Sequence, residues 1–191
     1  PGSFSKIFFK KKFKKKNLYN FISIGRLSKE KGYNLLIKAV SEIDKRKYKL
    51  QIIGEGPERY VLQNLINKFN LNNNVKLMGL KKNIYPFLKK ADLTINCSYF
   101  EGFPNVVIDS LSCGVPVLCS DSYGGINEIL DYGKYGNFFK NGNYENLKKN
   151  INKFLINPKI FFNKAKLSQK SLVRFSEKRS SNAYEKIFLD L

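Results

Sequence analysis

Residues 99–117, YFEGFPNVVIDSLSCGVPV, contain the pattern that decides the fold. The acid Glu101 opens a loop of Gly, Phe, Pro and Asn, and a second acid, Asp109, follows with seven residues between the two. An apolar helix then ends at Gly114 and leads into a Val-Pro-Val strand. Carboxylates accept hydrogen bonds from sugar hydroxyls, and the backbone N–H groups at a helix start face negative charge. The pattern therefore indicates a site for an anionic, polyhydroxylated ligand such as a nucleotide sugar.

Outward from this stretch, apolar strands alternate with amphipathic helices. Strands are predicted at 19–24, 48–53, 75–78, 93–97 and 116–119, with an edge segment at 136–139. Helices are predicted at 33–45, after Pro57 with apolar positions 61, 65, 66 and 69 on one face, and at 84–90, 104–113, 126–130, 144–156, 159–172 and 176–189. This alternation is typical of an α/β, Rossmann-like, doubly wound parallel sheet of about six strands with C-terminal helices. In such sheets the ligand lies beyond the carboxyl ends of the strands.

Composition fits one domain and carries little functional information. The 191 residues are 42% hydrophobic, which suffices for a single core. A net charge of +20, from 35 basic and 15 acidic residues, would by itself suggest nucleic acid or an anionic membrane. However, Arg is scarce, Lys is scattered over nearly every helix, and Asn, Ile, Phe and Tyr are abundant, as in AT-rich coding sequences. We therefore expect no nucleic-acid partner.

The cysteines and the termini bear on compartment and extent. There is no His and no CxxC pair, which argues against a metal site, and we expect Cys97, Cys113 and Cys119 to be reduced, buried thiols of a cytoplasmic protein. No signal peptide or membrane-spanning run is visible. Residues 1–18 are interpreted as a basic connector or interdomain linker, with peripheral contact to an anionic plasma membrane at its inner face as the alternative. Because the chain begins at Pro1 and not at Met, we expect it to be part of a longer protein.

A second candidate segment joins the first strand to the first helix, and its residues suit phosphate. Gly25 permits a tight turn near a ligand, Arg26 can form a fork onto phosphate oxygens, and Lys31 can add a point charge. The alternative is an ordinary loop of a basic protein. For the acids, the alternatives are a solvated loop carboxylate at Glu101 and a first-turn helix charge at Asp109.

Taken in order, the motifs resemble the C-terminal half of the retaining glycosyltransferases of family 4, which have the GT-B fold. The similarity spans roughly residues 19–190 and rests on Gly25-Arg26-Leu27 with Lys31-Gly32, Ile52-Ile53-Gly54-Glu55-Gly56-Pro57, Val75 to Gly79, Ala91-Asp92-Leu93, Glu101 to Asn105, Asp109, Gly114 to Val117, and Gly124-Gly125 with Glu128. The resemblance implies that residues 19–191 form a C-terminal nucleotide-sugar-binding domain.

The resemblance also implies a role for each site residue. Arg26 and Lys31 would hold the donor diphosphate, Glu101 would contact the transferred sugar, and Asp109, where the family more often has Glu, would bind the ribose. Backbone groups would make three further contacts. The base would lie against residues 79–82, starting at Gly79, and the turn at Gly25 would pass close to the ligand. The sugar and the β-phosphate would lie against Gly102, Phe103, Pro104 and Asn105.

The implied reaction moves a hexose or N-acetylhexosamine from a UDP- or GDP-linked donor, without a metal or other cofactor, to a glycan or lipid-linked acceptor. The surface glycan would be a lipopolysaccharide, a capsule or a lipid-linked oligosaccharide. The partner of this half would be a missing N-terminal acceptor-binding domain, so the fragment alone is expected to be inactive. A non-catalytic sugar-nucleotide-binding module is the alternative, and a basic nucleic-acid-binding domain is a more distant one.

Overall fold

The structure, a computed structural model, describes residues 13–175. Six strands form one sheet in the order β3-β2-β1-β4-β5-β6, and every neighbouring pair is parallel. The strands are β1 (Tyr19–Ile24), β2 (Tyr48–Ile53), β3 (Val75–Leu77), β4 (Leu93–Asn96), β5 (Val117–Ser120) and β6 (Asn137–Phe139). The helices are α1 (Tyr33–Ser41), α2 (Arg59–Lys68), α3 (Tyr85–Lys90), α4 (Asn105–Ser112), α5 (Ile126–Leu130), α6 (Tyr144–Ile156) and α7 (Pro158–Ser171). The predicted doubly wound parallel sheet is confirmed.

The two faces of the sheet are both buried, as the apolar strands predict. In β1, Phe21 and its neighbour Ile22 are each 1% exposed but point to opposite faces, because side chains alternate along a strand. Phe21 stacks on Tyr48 at 5.6 Å between ring centroids, in the cluster that includes α1 and α6. Ile22 packs in the cluster of Leu88 from α3. Full burial of one such side chain stabilises the fold by about 1.5–3 kcal/mol.

Two helix predictions need correction. Helix α1 ends at Ser41 and does not reach residue 45, because Asp44 makes a turn in which its carboxylate accepts from the Arg46 N–H at 3.0 Å. On α2, the core-facing residues are Leu62 and Ile66, while Val61 is 52% exposed. The prediction that residue 61 lies on the core-facing side of this helix was therefore wrong. The helix predicted at 176–189 lies outside the described residues.

The three cysteines lie in the core, as expected. Cys97, Cys113 and Cys119 are buried, and burial raises the pKa of the Cys97 and Cys119 thiols, which keeps them protonated and unreactive. Within residues 13–175, no helix is both long and apolar enough to cross a membrane.

The described end of the basic connector contacts the domain. The Phe13 ring lies 5.4 Å from that of Phe162, and the Lys16 ammonium donates to Asp92 Oδ1 at 2.7 Å. Phe13 and Lys16 therefore contact the α/β body, while a linker role for residues 1–18 stays a prediction.

Candidate functional site

The strand order reverses between β1 and β4, so the loops that follow these strands diverge and leave a crevice at the carboxyl edge of the sheet. Open α/β sheets bind ligands at this kind of position. The loop after β1 holds Arg26 and Lys31, the loop after β4 holds Glu101, and the loop after β5 holds Gly124. The topology thus brings the separately predicted segments to one end of the molecule.

Close backbone packing holds the first two loops together. A 3-10 turn at Lys29–Lys31 ends at Gly32, whose φ of 63° is left-handed. A Cβ at Gly32 would lie 2.3 Å from the carbonyl oxygen of Cys97, so only glycine allows this contact. The Tyr99 N–H then donates to the carbonyl oxygen of Glu30 at 2.8 Å. This turn, which periodicity did not predict, fixes Lys31 next to the loop after β4.

Lys31 and Glu101 form an ion pair in the crevice. The Lys31 ammonium donates to Glu101 Oε1 at 2.6 Å, and the two side chains are 23% and 16% exposed. The other carboxylate oxygen, Oε2, is buried and has no hydrogen-bond partner among residues 13–175. A buried acceptor without a donor costs about 1–3 kcal/mol, so a group that donates to it would stabilise the site.

The Tyr33 side chain lies next to this pair and was not among the residues predicted for the site. Burial, together with the nearby Cys97 and Glu101, raises the pKa of Tyr33, so its phenol stays neutral. A cavity of about 10 Å³, enough for roughly one water, is lined by Lys31, Tyr33, Ser98 and their neighbours. Tyr33 therefore adds no charge beneath the Lys31–Glu101 pair.

Arg26 and the nearby glycines form the other wall. Arg26 is exposed, and its side chain has no hydrogen bond or ion pair among the described residues. The turn at Gly25 packs on Gly54, where an added Cβ would lie 1.9 Å from the Gly25 carbonyl oxygen. Gly54 in turn donates its N–H to the carbonyl oxygen of Gly79 at 3.1 Å. The structure thus places Gly25, Arg26 and Gly79 along one edge of the crevice. The guanidinium at this edge is that of Arg26, which has no partner among the described residues.

The Glu101 loop is fixed by the loop after β5. Gly125 donates its N–H to the Gly102 carbonyl oxygen at 2.7 Å, and Gly102 itself is exposed. The Phe103 ring lies 5.5 Å from the ring of Phe175. Pro104 is buried and immediately precedes α4.

The first amides of α4 are partly engaged. The Asn105 N–H donates to the Phe103 carbonyl oxygen at 3.0 Å, and the Val107 N–H donates to that of Pro104 at 2.9 Å. Within the turn at residues 102–105, whose backbone was expected to contact the ligand, the Asn105 N–H is therefore already used inside the loop.

The second acid, Asp109, lies on α4 beyond its first turn, which contains no acid. The first-turn helix-charge alternative is therefore wrong, since the macrodipole effect falls off within that turn. The Tyr85 hydroxyl, at the start of α3, donates to Asp109 Oδ1 at 2.9 Å. Burial raises the pKa of Asp109, whereas the Tyr85 hydrogen bond lowers it. Burial and the Asp109 contact raise the pKa of Tyr85 to about 12.

Tyr85 was missed because its place in the sequence suggested only a helix start. The structure joins it to Asp109, and joins Lys31 to Glu101, but no hydrogen bond links the two pairs within residues 13–175. In the same part of the chain, no group of three or more Cys, Asp or Glu residues is placed to hold a metal ion, and the sequence has no His.

Comparison with known proteins identifies the family. Residues 4–172 match the family model described as "Glycosyl transferases group 1". The chain belongs to this family, so the resemblance to glycosyltransferases is confirmed at this level.

Individual relatives and structures agree with that assignment. An uncharacterized glycosyltransferase of Methanocaldococcus jannaschii is 40% identical over 136 residues, which are 63% of this chain and 34% of that protein. A Campylobacter jejuni protein, N-acetylgalactosamine-N,N'-diacetylbacillosaminyl-diphospho-undecaprenol 4-alpha-N-acetylgalactosaminyltransferase, is 33% identical over 166 residues, 85% of this chain and 45% of that one. The crystal structure of Anabaena HepE in complex with UDP-glucose superposes with a TM-score of 0.84 at 25% identity, covering 92% of this chain and 50% of that one. The chain thus spans at most half the length of these three proteins.

Proposed function

We propose that this chain is the C-terminal, donor-binding half of a retaining glycosyltransferase of family 4. One observation carries the proposal: the Lys31–Glu101 pair, with one carboxylate oxygen buried and unpartnered, lies where the strand order reverses. A generic phosphate site needs the cation but has no use for the acid. An acid paired to that cation suits a ligand that carries both a diphosphate and sugar hydroxyls.

In the proposed complex the diphosphate lies between Arg26 and Lys31. Arg26 is free to form a bidentate contact, whereas Lys31 must exchange its carboxylate partner for phosphate. When the bond between the sugar anomeric carbon and the β-phosphate oxygen breaks, negative charge grows on the leaving diphosphate. Two fixed cations in a partly buried site stabilise that charge without a metal ion.

Release of Lys31 leaves Glu101 free to accept hydrogen bonds from the transferred sugar. The acceptor hydroxyl forms the new bond to the anomeric carbon and passes its proton to the departing β-phosphate oxygen, and attack on the leaving-group face retains the configuration. Asp109 accepts from the ribose, the backbone of residues 102–105 lines the sugar and the β-phosphate, and the base lies against the backbone of residues 79–82.

We further propose that the whole protein transfers a hexose or N-acetylhexosamine to a lipid-linked or surface-glycan acceptor, with an N-terminal half supplying the acceptor site. The Campylobacter relative is named for transfer to a diphospho-undecaprenol-linked sugar, and HepE was crystallised with UDP-glucose. Both proteins are at least twice as long as the segment matched here, which supports a second half. The donor would be linked to UDP or GDP, and the protein would work in the cytoplasm, peripherally at the inner face of the plasma membrane.

Calorimetry with UDP, GDP and their glucose, N-acetylglucosamine and mannose conjugates tests the proposal. We expect saturable binding of at least one nucleotide, weakened in Arg26→Ala. Arg46→Ala is the matched control, because Arg46 precedes β2 at the opposite, amino end of the sheet and pairs only with Asp44 there among the described residues.

No binding of any of these ligands, or equal weakening by Arg26→Ala and Arg46→Ala, would contradict a donor site. Binding of a sugar nucleotide by a full-length protein that never transfers the sugar would favour the non-catalytic binding module.

A further inference from the structure

The proposed ribose acid has a partner that holds it in place. The Tyr85 hydroxyl donates to Asp109 Oδ1 at 2.9 Å, across 24 residues of sequence and between two helices. Among residues 13–175 this is the only hydrogen bond of the Asp109 carboxylate, so Oδ2 is left without a protein donor. Both side chains are half-buried, and each keeps part of its surface open.

Tyr85 is itself rigidly placed. Its N–H donates to Asn83 Oδ1 at 3.0 Å at the start of α3, and its ring packs against the buried cluster of Ile22, Ile53 and Leu88. A tyrosine has few rotatable bonds, so a ring fixed in this way points its hydroxyl in one direction. The contact to Asp109 is therefore built into the fold before any ligand binds.

The pair offers two acceptors side by side. A phenolic oxygen that donates its proton to Asp109 keeps lone pairs that can accept a hydrogen bond, and the carboxylate keeps Oδ2. A ribose carries two neighbouring hydroxyls, each a donor. Tyr85 also follows residues 79–82, the segment proposed to lie against the base, and it contacts Asp109 directly.

We propose that Tyr85 and Asp109 together recognise the vicinal ribose hydroxyls of the donor, with Tyr85 both positioning the carboxylate and accepting one hydroxyl. This inference rests on the proposed function and adds a specificity residue to it. It makes the site selective for ribonucleotides over deoxyribonucleotides through two residues on different helices.

The test compares affinities for UDP, GDP, ADP and CDP with those for their 2′-deoxy and 3′-deoxy counterparts, in wild type and in Tyr85→Phe. Loss of one hydrogen bond in a charged network should weaken binding of the preferred ribonucleotide roughly 10-fold. Binding of at least one deoxy counterpart should change much less, because it lacks the hydroxyl that Tyr85 accepts. Tyr135→Phe is the matched control, since Tyr135 precedes β6 at the amino end of the sheet.

The pH profile provides a second readout that a merely structural tyrosine would not change. Tyr85 is the titratable group that acts on Asp109, and Asp109 and Cys113 are those that act on Tyr85. Since the Tyr85 hydrogen bond lowers the pKa of Asp109, its loss in Tyr85→Phe should raise that pKa. Nucleotide affinity should then begin to fall at a higher pH than in wild type as the solution is acidified.

Three results are decisive. If wild type binds none of the nucleotides, the proposed function fails and the inference falls with it. If wild type binds a ribonucleotide and Tyr85→Phe binds it equally well, the inference fails alone. If Tyr85→Phe weakens the ribo, 2′-deoxy and 3′-deoxy forms to the same extent, with an unchanged pH profile, Tyr85 has only a structural role and the inference is overturned.

Discussion

Two acids at opposite ends of β4, one buried and one partly buried, differ in how completely their oxygens are hydrogen-bonded. Asp92 precedes β4, and its side chain is 3% exposed. It accepts from the Lys16 ammonium at 2.7 and 2.9 Å and from the Asn20 N–H at 2.9 Å. Glu101 follows β4, is 16% exposed, and has one oxygen paired to Lys31 and the other without a donor in the described part of the chain.

Each acid is paired with a lysine, so the two do not differ in charge. They differ in whether both carboxylate oxygens have hydrogen-bond donors. A buried carboxylate whose oxygens both have donors stabilises the fold, whereas one left incomplete is held by the surrounding structure at some cost. Incomplete polar groups concentrate at functional sites. The amino edge of the sheet thus carries a satisfied structural acid, whereas the carboxyl edge carries the incomplete acid of the proposed binding site.

The largest expected effect is on Glu101. Glu101→Gln should not weaken nucleoside diphosphate binding, because Lys31 then has no carboxylate to exchange, but should lower sugar transfer by the full-length protein on the order of 100-fold, a scale seen for lost transition-state contacts. Transfer rates and calorimetry on the same preparation measure both quantities. Transfer at the wild-type rate would remove Glu101 from the sugar site and end its contrast with Asp92.

The matching change at Asp92 should act on stability alone. Asp92→Ala removes the acceptor of the Lys16 and Asn20 donors and should lower the free energy of unfolding by about 2–4 kcal/mol. Nucleotide affinity of the folded variant should equal that of wild type. Urea unfolding with calorimetry tests this, and a selective loss of nucleotide binding would place Asp92 in the site.

The two cations of the crevice, Arg26 and Lys31, should also differ in how far their removal affects binding and how far it affects stability. Arg26→Ala should weaken nucleoside diphosphate binding by about 1–3 kcal/mol at unchanged stability, since Arg26 is exposed and unpartnered among residues 13–175. Lys31→Ala should weaken binding less, because Lys31 already has an anionic partner, but should also lower the melting temperature by leaving Glu101 without its cation. Equal effects on binding and no change in melting temperature would contradict the exchange of partners.

The smallest expected effect is that of Asp109 on the stability of the folded protein. Burial raises the pKa of this carboxyl above its unfolded value, so its favourable contribution to folding is present below pH about 3.9 and is lost as the pH rises through the folded pKa. At neutral pH, Asp109→Asn should therefore melt at or above the wild-type temperature while binding nucleotide more weakly. A drop in melting temperature with unchanged affinity would make Asp109 a structural acid like Asp92.

Local sequence was sufficient to predict the sheet and the loops that line the candidate site, but not the contacts between residues distant in sequence. Strand β2 and helix α6 have their predicted bounds because each is a short apolar or periodic run with clear ends. The phase of α2 was wrong at Val61, since Val61 and Leu62 are both apolar and only packing against the sheet selects Leu62.

Within the site, the loops after β1 and β4 were predicted from their residue types, but their contacts were not. The Tyr85–Asp109 and Lys31–Glu101 pairs join residues 24 and 70 positions apart, and no spacing rule relates them. The assigned roles of Arg26, Lys31, Glu101 and Asp109 stay predictions until binding is measured.

The contact between Glu101 and the loop after β5 has a consequence for redesign. Gly124 has a φ of 117°, and a Cβ there would lie 1.7 Å from the carbonyl oxygen of Glu101, while a Cβ at Gly125 would lie 2.5 Å from the ring of Phe103. Residues 101–105 and 122–125 therefore behave as one module. A mutagenesis library or loop graft intended to change sugar preference has to transplant both segments together and keep glycine at 124 and 125, or the grafted backbone will not close over its neighbour.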